Sequence, residues 1–406
     1  MTVTIDRIAA GGDGVARLAD GMAVFVPRTA PGDRVDIDVV ERHKRFARGR
    51  VRSIVEGAQS RVEPLCRHYY EDDCGGCQLQ HLDYETQLKV KRTMVGDALR
   101  RIGKFDIEDP PIVPADQQWE YRNKVSLSVQ GNKIGFHPIG RADAVFALGR
   151  CAISDSALMG LWAEVRQHVT LLPSNLHRIA LRRDRGEGFH VTVVGGDANV
   201  WDATPFVRAL ARPDVAIWWK PKGGASRIIA GRETGFPALA FDQVNPKLAA
   251  QLRRRLVEVV GDVREAIVWD LYGGVGDTAT LLANAGARVW SVDVDRSAVA
   301  WGNRELAHER VTRIADRVED SVHRLPEPTL VVVNPPRTGL AASVAQWVER
   351  WGSQQADRKL LYVSCDPATL ARDLAKMPAF AIRSVEAFDL FPQTSHVESL
   401  VLAQTR

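Results

Sequence analysis

The sequence predicts an α/β protein of three parts: a small N-terminal β module, a mostly-β central domain, and a C-terminal Rossmann-like sheet flanked by helices. Three observations carry this. Residues 1–56 hold short β-branched runs between Gly and Pro turns. Residues 119–235 alternate apolar and polar positions in several stretches. From residue 236, strand-like runs alternate with helical ones, the rhythm of a parallel sheet. The length agrees, since 406 residues at roughly 150 per domain suggest two or three domains.

In the first part, Met22–Val26 and Val35–Val40 read as strands, separated by turn signals in Pro27–Asp33. Arg42, Lys44, Arg45, Arg48, Arg50 and Arg52 follow, six cations in eleven positions around Phe46. Such a run suits a phosphate-contacting face, although a solvated edge strand guarded by charge explains it as simply. A helix is expected from about Tyr84 to Ile102, with Leu88, Val95 and Leu99 on one face and Gly103 as its stop. In the second part, Val125–Val129 and His190–Val194 read as strands, and Gly131-Asn132 and Gly195-Gly196 as turns. Trp218-Trp219-Lys220-Pro221-Lys222 fits base stacking with phosphate contact, and fits core packing equally well. In the third part, strands are expected at Ala266–Leu271, Arg288–Val294, Leu330–Val333, Lys359–Ser364 and Leu400–Ala403.

Composition narrows the class. At 45% apolar and 26% charged residues, the chain reads as globular, not disordered. No apolar run approaches the ~18 residues of a membrane span, and the N-terminus lacks a secretion signal. The net charge of +4 is unevenly placed: residues 1–250 carry 35 Lys+Arg against 30 Asp+Glu, and the remainder is nearly neutral. Five cysteines exclude a disulfide scaffold and suit a reducing cytoplasm.

Three pieces suggest a cofactor site. Val268–Asp277 is a strand entering a Gly-rich loop, where glycines permit close backbone approach. Asp293 ends the next strand about 20 residues later and can bind ribose hydroxyls. These two suit a dinucleotide and S-adenosylmethionine (SAM) alike. The strand ending in Asn334-Pro335-Pro336-Arg337 is the third piece, and it favours SAM. Cys365 follows another strand and belongs at the same sheet edge, where a thiolate can act as a nucleophile. Asp389–Glu398 adds carboxylates and an imidazole. A thiolate and a base suit methylation at C5 of uracil, a carbon too weakly nucleophilic until a thiolate adds at C6.

On these residues the chain resembles the RNA 5-methyluridine (uracil-C5) methyltransferase family, over essentially its whole length. The motifs are Phe241–Asn245, Asp270–Gly276, Asn334–Gly339, Ser364–Asp373 and Phe391–Glu398. The resemblance implies a SAM-dependent methyltransferase domain at 236–406, with Cys365 as nucleophile and Glu398 as general base. It implies SAM contacts at Gln243, Tyr272, Asp277, Asp293 and Asn334, and, as in some members, at Asp316. Glu120–Lys124 is similar to a family motif near the substrate-binding surface. The chain departs from the family at Asn334 (usually Asp), Asp293 (usually Glu), Gly273 (often Cys) and Asp366 (often Asn).

Cys66, Cys74, Cys77 and Cys151 form a three-plus-one set. Spacing alone allows structural zinc or a [4Fe–4S] cluster. The resemblance implies the cluster, because an iron–sulfur subset of the family carries a pattern similar to Cys74–His81. Residues 1–56 resemble a TRAM domain, which implies an OB-like RNA-binding β-barrel, and the cluster region is expected at 57–235. The TRAM-plus-cluster combination resembles the 23S ribosomal RNA branch, with the T-loop uridine of tRNA as the alternative substrate. Amino-group methylation of a base fits less well, since it leaves Cys365 and Glu398 without roles, and a non-enzymatic RNA-binding factor needs neither. The chain is read as a cytoplasmic monomer.

Overall fold

The computed structural model describes residues 1–186, 188–197, 201–231, 236–237 and 239–405. The expected boundary between residues 235 and 236 therefore falls at the margin of the described residues, and the mostly-β stretch 119–235 includes positions outside them. Three sheets organise the chain. The first has six strands, all within residues 2–56, around a core of Val24, Val26, Val35 and Ile37. The basic run lies on the hairpin of Arg34–Arg42 and Phe46–Glu56. Its arginines pair with carboxylates, Arg42 with Asp20, Arg52 with Asp38 and Arg48 with Asp13.

The second sheet has seven strands from residues 124–230, backed by the helix Ser156–Gln167. Asp155 caps that helix by accepting the N–H groups of Ala157 and Leu158, which satisfies donors that a helix start leaves free. Trp162 inserts into the core between helix and sheet. Trp219 is buried there too, and the Trp218 indole N–H donates to His190 Nδ1 at 3.1 Å. Packing thus accounts for Trp219, while Trp218 is only partly buried.

The third sheet has eight strands. Its order is Val311–Ala315, Arg288–Asp293, Ile267–Leu271, Leu330–Val333, Lys359–Ser364, Glu398–Thr405, Phe380–Phe388 and Ile112–Val113. The first five are parallel. Their near-continuous apolar runs suit strands covered on both faces. Leu248, Leu252 and Leu256 of the helix Pro246–Val260 pack on one face. Val344, Val348 and Leu370 pack on the other, together with Val95 and Leu99 of the helix Tyr84–Arg101. That helix and Ile112–Val113 come from the expected central region yet build into this third layer.

Two features of the last part differ from the sequence reading. Phe380–Phe388 is a strand that the sequence did not announce, because its middle is only partly buried and shows no clean alternation. The final strand begins at Glu398, not Leu400. Among the described residues, no helix is long and apolar enough to cross a membrane.

Lys91 of the helix Tyr84–Arg101 forms a fully buried ion pair with Asp389, and its Nζ also donates to Phe391 O at 3.0 Å. Burial pushes the lysine pKa down, against the attraction of Asp389. Removing one partner of such a pair strands the other charge away from water. Lys91→Met is therefore expected to cost ~3–5 kcal/mol of unfolding free energy. Lys91→Met combined with Asp389→Leu should recover most of it, as urea denaturation of the three proteins would measure.

Candidate active site

The parallel strands all deliver their carboxyl ends to one edge of the third sheet, where open α/β sheets bind ligands. Tyr272–Gly276, Asp293, Asn334 and Cys365 follow those ends. Glu398–Thr405 runs antiparallel to Lys359–Ser364, so Glu398 begins its strand at the edge where the other strands finish. The register pairs Ser364 with Ser399, which makes Cys365 and Glu398 the next residues on the two chains.

Glu398 is 1% exposed, and its Oε2 has no hydrogen-bond partner. Burial raises its pKa from 4.5 to about 8, against the opposing pull of Arg337. Burial, and then the Glu398 carboxylate, raise the Cys365 thiol, while the hydrogen-bonding Arg337 guanidinium lowers it. Arg337 also reaches His396, Nη2 to Nε2 at 3.3 Å. Burial pushes that imidazole down to about 4, so it is neutral at pH 7.

Arg337 is the site residue to which the sequence reading assigned no role. Its loop is tied to the helix Pro367–Leu374, which starts beside Cys365 with Asp366 as its cap. Thr369 Oγ1 donates to Arg337 O at 3.0 Å, and Arg372 donates to Thr338 O at 2.7 Å. Buried Asp373 accepts from Leu340 N–H at 2.8 Å and from the Tyr362 hydroxyl at 2.9 Å. Gly339 sits at φ +84°, and a Cβ there would overlap the Asp373 carboxylate. Both facts call for glycine.

The cofactor pieces surround one cleft. Gln243, Tyr272, Asp277 and Asn334 line it, beside Gly273 and Gly274. Tyr272 holds φ +60°, a strained value for a non-glycine residue, and its buried hydroxyl has no partner. Asp293 accepts the Gly274 N–H at 2.8 Å and the Asp295 N–H at 2.8 Å, so its carboxylate fastens the Gly loop. Asp316 donates its N–H to Asp293 O at 3.0 Å, but its side chain pairs with Arg324 and does not line the cleft. Asp277 is gripped by Arg185 through both oxygens, at 2.8 and 2.7 Å. Burial raises its pKa, and Arg185 more than reverses this, leaving the carboxyl below its usual range. Beneath the loop, burial raises Asp270 to about 6, while Ser291 Oγ donates to it at 3.0 Å. A Cβ at Gly273 would overlap both Asp270 and Ser291. That close approach explains why this chain has glycine at 273.

Cys66, Cys74, Cys77 and Cys151, all free thiols, line a single cavity of about 140 Å³. Cys74 is fixed by its N–H to His68 O at 3.0 Å, and the following Gly75 N–H donates to His137 O at 3.0 Å. Burial pushes the Cys74 thiol up to about 11 and Cys77 higher still, and the neighbouring thiols add to the rise. Among the described residues, no group of three or more His, Cys, Asp or Glu is gathered so as to hold a metal ion.

The raised carboxyl gives a pH test of the Glu398 environment. A folded-state pKa of about 8, above the ordinary 4.5, means that the native protein holds a proton the unfolded chain has released. Stability from this group is present at low pH and is lost as pH rises through that window. Glu398→Gln, which cannot ionise, should match the wild type near pH 4.5 and become increasingly more stable than it up to about pH 8. Denaturant unfolding across this range would measure the gap, and a gap independent of pH would contradict the buried neutral acid.

Comparison with known proteins agrees with the fold. The tRNA (Uracil-5-)-methyltransferase family matches residues 316–406, and the TRAM domain matches residues 1–51. A 23S rRNA (uracil(1939)-C(5))-methyltransferase of Halomonas elongata is 30% identical over 440 residues, covering 99% of this chain and 89% of the relative. An RNA methyltransferase of Thermosynechococcus vestitus is 30% identical over 447 residues, covering 100% of this chain and 98% of the relative. A solved structure, the tRNA (uracil-54, C5)-methyltransferase of Pyrococcus abyssi in complex with S-adenosyl-L-homocysteine, superposes with a TM-score of 0.74 at 24% identity, covering 99% of this chain and all of that one. With a TRAM domain at its N-terminus and a methyltransferase fold at its C-terminus, the chain belongs to the RNA (uracil-C5)-methyltransferase family, whose members are SAM-dependent enzymes.

Proposed function

We propose that the protein methylates C5 of a uridine in 23S ribosomal RNA, with Cys365 as nucleophile and Glu398 as base. The observation that carries this is the placement of Cys365 and Glu398 at adjoining ends of two paired strands, with the Arg337 charge acting on both. The Cys365 thiolate adds to C6 of uracil, which makes C5 an enolate-like carbon. C5 takes the methyl group from SAM. Glu398 removes the C5 proton, and the thiolate then leaves. Arg337 favours the anionic form of both groups, which burial otherwise opposes. His396, held neutral, orients the guanidinium.

SAM is assigned to the cleft lined by Gln243, Tyr272, Asp277 and Asn334, with Asp293 setting the Gly loop and Asp316 outside the cleft. At Asn334 an amide replaces the usual carboxylate, so this position offers hydrogen bonds without negative charge. The 23S rRNA assignment rests on the Halomonas elongata relative and the TRAM match. Residues 1–56 are assigned to RNA contact, 57–235 to the cysteine region and 236–406 to methyl transfer, with Tyr84–Arg101 and Ile112–Val113 of the second region built into the third.

The four upstream cysteines fit a [4Fe–4S] cluster better than a single zinc ion. A single zinc ion would draw its sulfurs to ~2.3 Å. The thiols instead surround a cavity of about 140 Å³, roughly ten times the ~10–15 Å³ that admits one water. Thiols pushed up by burial and mutual repulsion are neutral unless a metal centre takes them as thiolates. Cys66, Cys74, Cys77 and Cys151 would hold the cluster, which would brace this region.

With 5-fluorouridine RNA and SAM, the wild type should form a covalent adduct, because fluorine at C5 blocks proton removal. Cys365→Ala should form none and should lose methylation. Undiminished methylation by that variant would sink the mechanism. Mass-spectrometric mapping should place the product in 23S rRNA, and a product confined to tRNA would reject that substrate. Anaerobically purified protein should be brown with about four irons per chain, whereas stoichiometric zinc without iron would refute the cluster.

A further inference from the structure

The connection 389–397 joins the last two strands, carries His396 and delivers Glu398 to its place. Its hydrogen bonds come largely from the N-terminal half of the chain. Leu79 N–H donates to Gln393 O at 3.0 Å, and the Tyr121 hydroxyl donates to Pro392 O at 3.0 Å. Gln393 N–H donates to Gln87 Oε1 at 3.0 Å, and Gln87 Nε2 donates to Gln393 Oε1 at 2.9 Å.

Gln78 occupies the centre of this junction. Its Nε2 donates to Gly75 O, between Cys74 and Cys77, at 2.7 Å. Its Oε1 accepts from Ser395 N–H at 3.1 Å and from Ser395 Oγ at 3.4 Å. The Tyr69 hydroxyl fixes its carbonyl at 3.1 Å. Gly12 of the first sheet's region packs against the same point. A Cβ on Gly12 would lie 2.5 Å from Gln78 Cβ and 3.3 Å from Ser395 Cβ, and its φ of +96° already favours glycine. The N-terminal module, the cysteine loop and the turn before Glu398 therefore meet on one side chain, with both ends of its amide engaged.

We propose that Gln78 is a positioning residue for methyl transfer: by bridging Gly75 O and Ser395 N–H, it locks the His396–Glu398 turn against the cysteine loop and so holds the base beside Cys365. An amide supplies both a donor and an acceptor, and removing the acceptor leaves the Ser395 N–H without a partner. The turn then loosens three residues before Glu398. The cofactor cleft is lined by other residues, so SAM binding does not depend on this bridge. The inference rests on the methyl-transfer reading above.

Two variants separate positioning from folding. Gln78→Met keeps the packing volume beside Gly12 but offers no strong acceptor, whereas Gln78→Glu retains an acceptor for Ser395 N–H. Gln78→Met should lower kcat about tenfold or more, while the rate of 5-fluorouridine adduct formation, which precedes proton removal, and KM for SAM stay within about twofold of wild type. Its iron content should be unchanged, and amide hydrogen exchange at residues 393–398 should accelerate. Gln78→Glu, which keeps the Ser395 contact but loses the donation to Gly75 O, should recover only part of the rate. An unchanged kcat in Gln78→Met would overturn the proposal. So would a loss of rate matched by equal losses of SAM affinity, iron and thermal stability, with no recovery in Gln78→Glu. Cys365→Ala, run alongside, tests the underlying reading separately: methylation by that variant defeats the chemistry, whereas an inactive Cys365→Ala with a fully active Gln78→Met defeats only the role of Gln78.

Discussion

In a sheet whose first five strands run parallel, residues can reach the ligand edge only where a strand ends. The antiparallel pairing of Lys359–Ser364 with Glu398–Thr405 adds a second way to reach it, since one strand now begins there. This reversal brings a thiol from the end of one strand beside a carboxyl from the start of the next. The remainder of the site is arranged around that pair. The helix Pro367–Leu374 starts at Cys365, and the Arg337 loop is bonded to the same helix.

Burial gives the pair its character. Buried Glu398 and half-buried Cys365 both favour their neutral forms, and the Glu398 carboxylate further opposes ionisation of the thiol. One guanidinium counters this for both groups. Asp373 supports the arrangement from below, because its buried carboxylate accepts from the loop that presents Arg337 and from Tyr362 of the third sheet. The cofactor cleft has a comparable foundation in Asp293, which uses its carboxylate to hold the Gly loop.

The cysteine region is joined to this chemistry by more than sequence order. The helix Tyr84–Arg101 packs into the third layer and sends Lys91 to Asp389 and Gln87 to Gln393. The Gln78 bridge continues the same seam to Ser395. Rigidity in the N-terminal half is thus available to the turn that carries the base.

The individual pieces of the site were legible in the sequence. Strand, Gly loop and helix at 267–284 follow from hydrophobic pattern and turn residues, which act over a few positions. Cys365 after a strand, Asp293 at a strand end and the cysteine set were readable for the same reason. The pairing of Asp316 with Arg324 was not legible, because it depends on how the chain turns after its strand. The strand Phe380–Phe388 escaped notice because its alternation is weak. Only the tertiary structure decided that the last strand runs backwards, that the Arg337 charge acts on both thiol and carboxyl, and that Gln78 meets Ser395 across 317 residues. Local pattern specifies which segments form strands and loops. Which of them share an edge depends on strand order and direction, and those are set by pairing and burial between residues far apart in the chain.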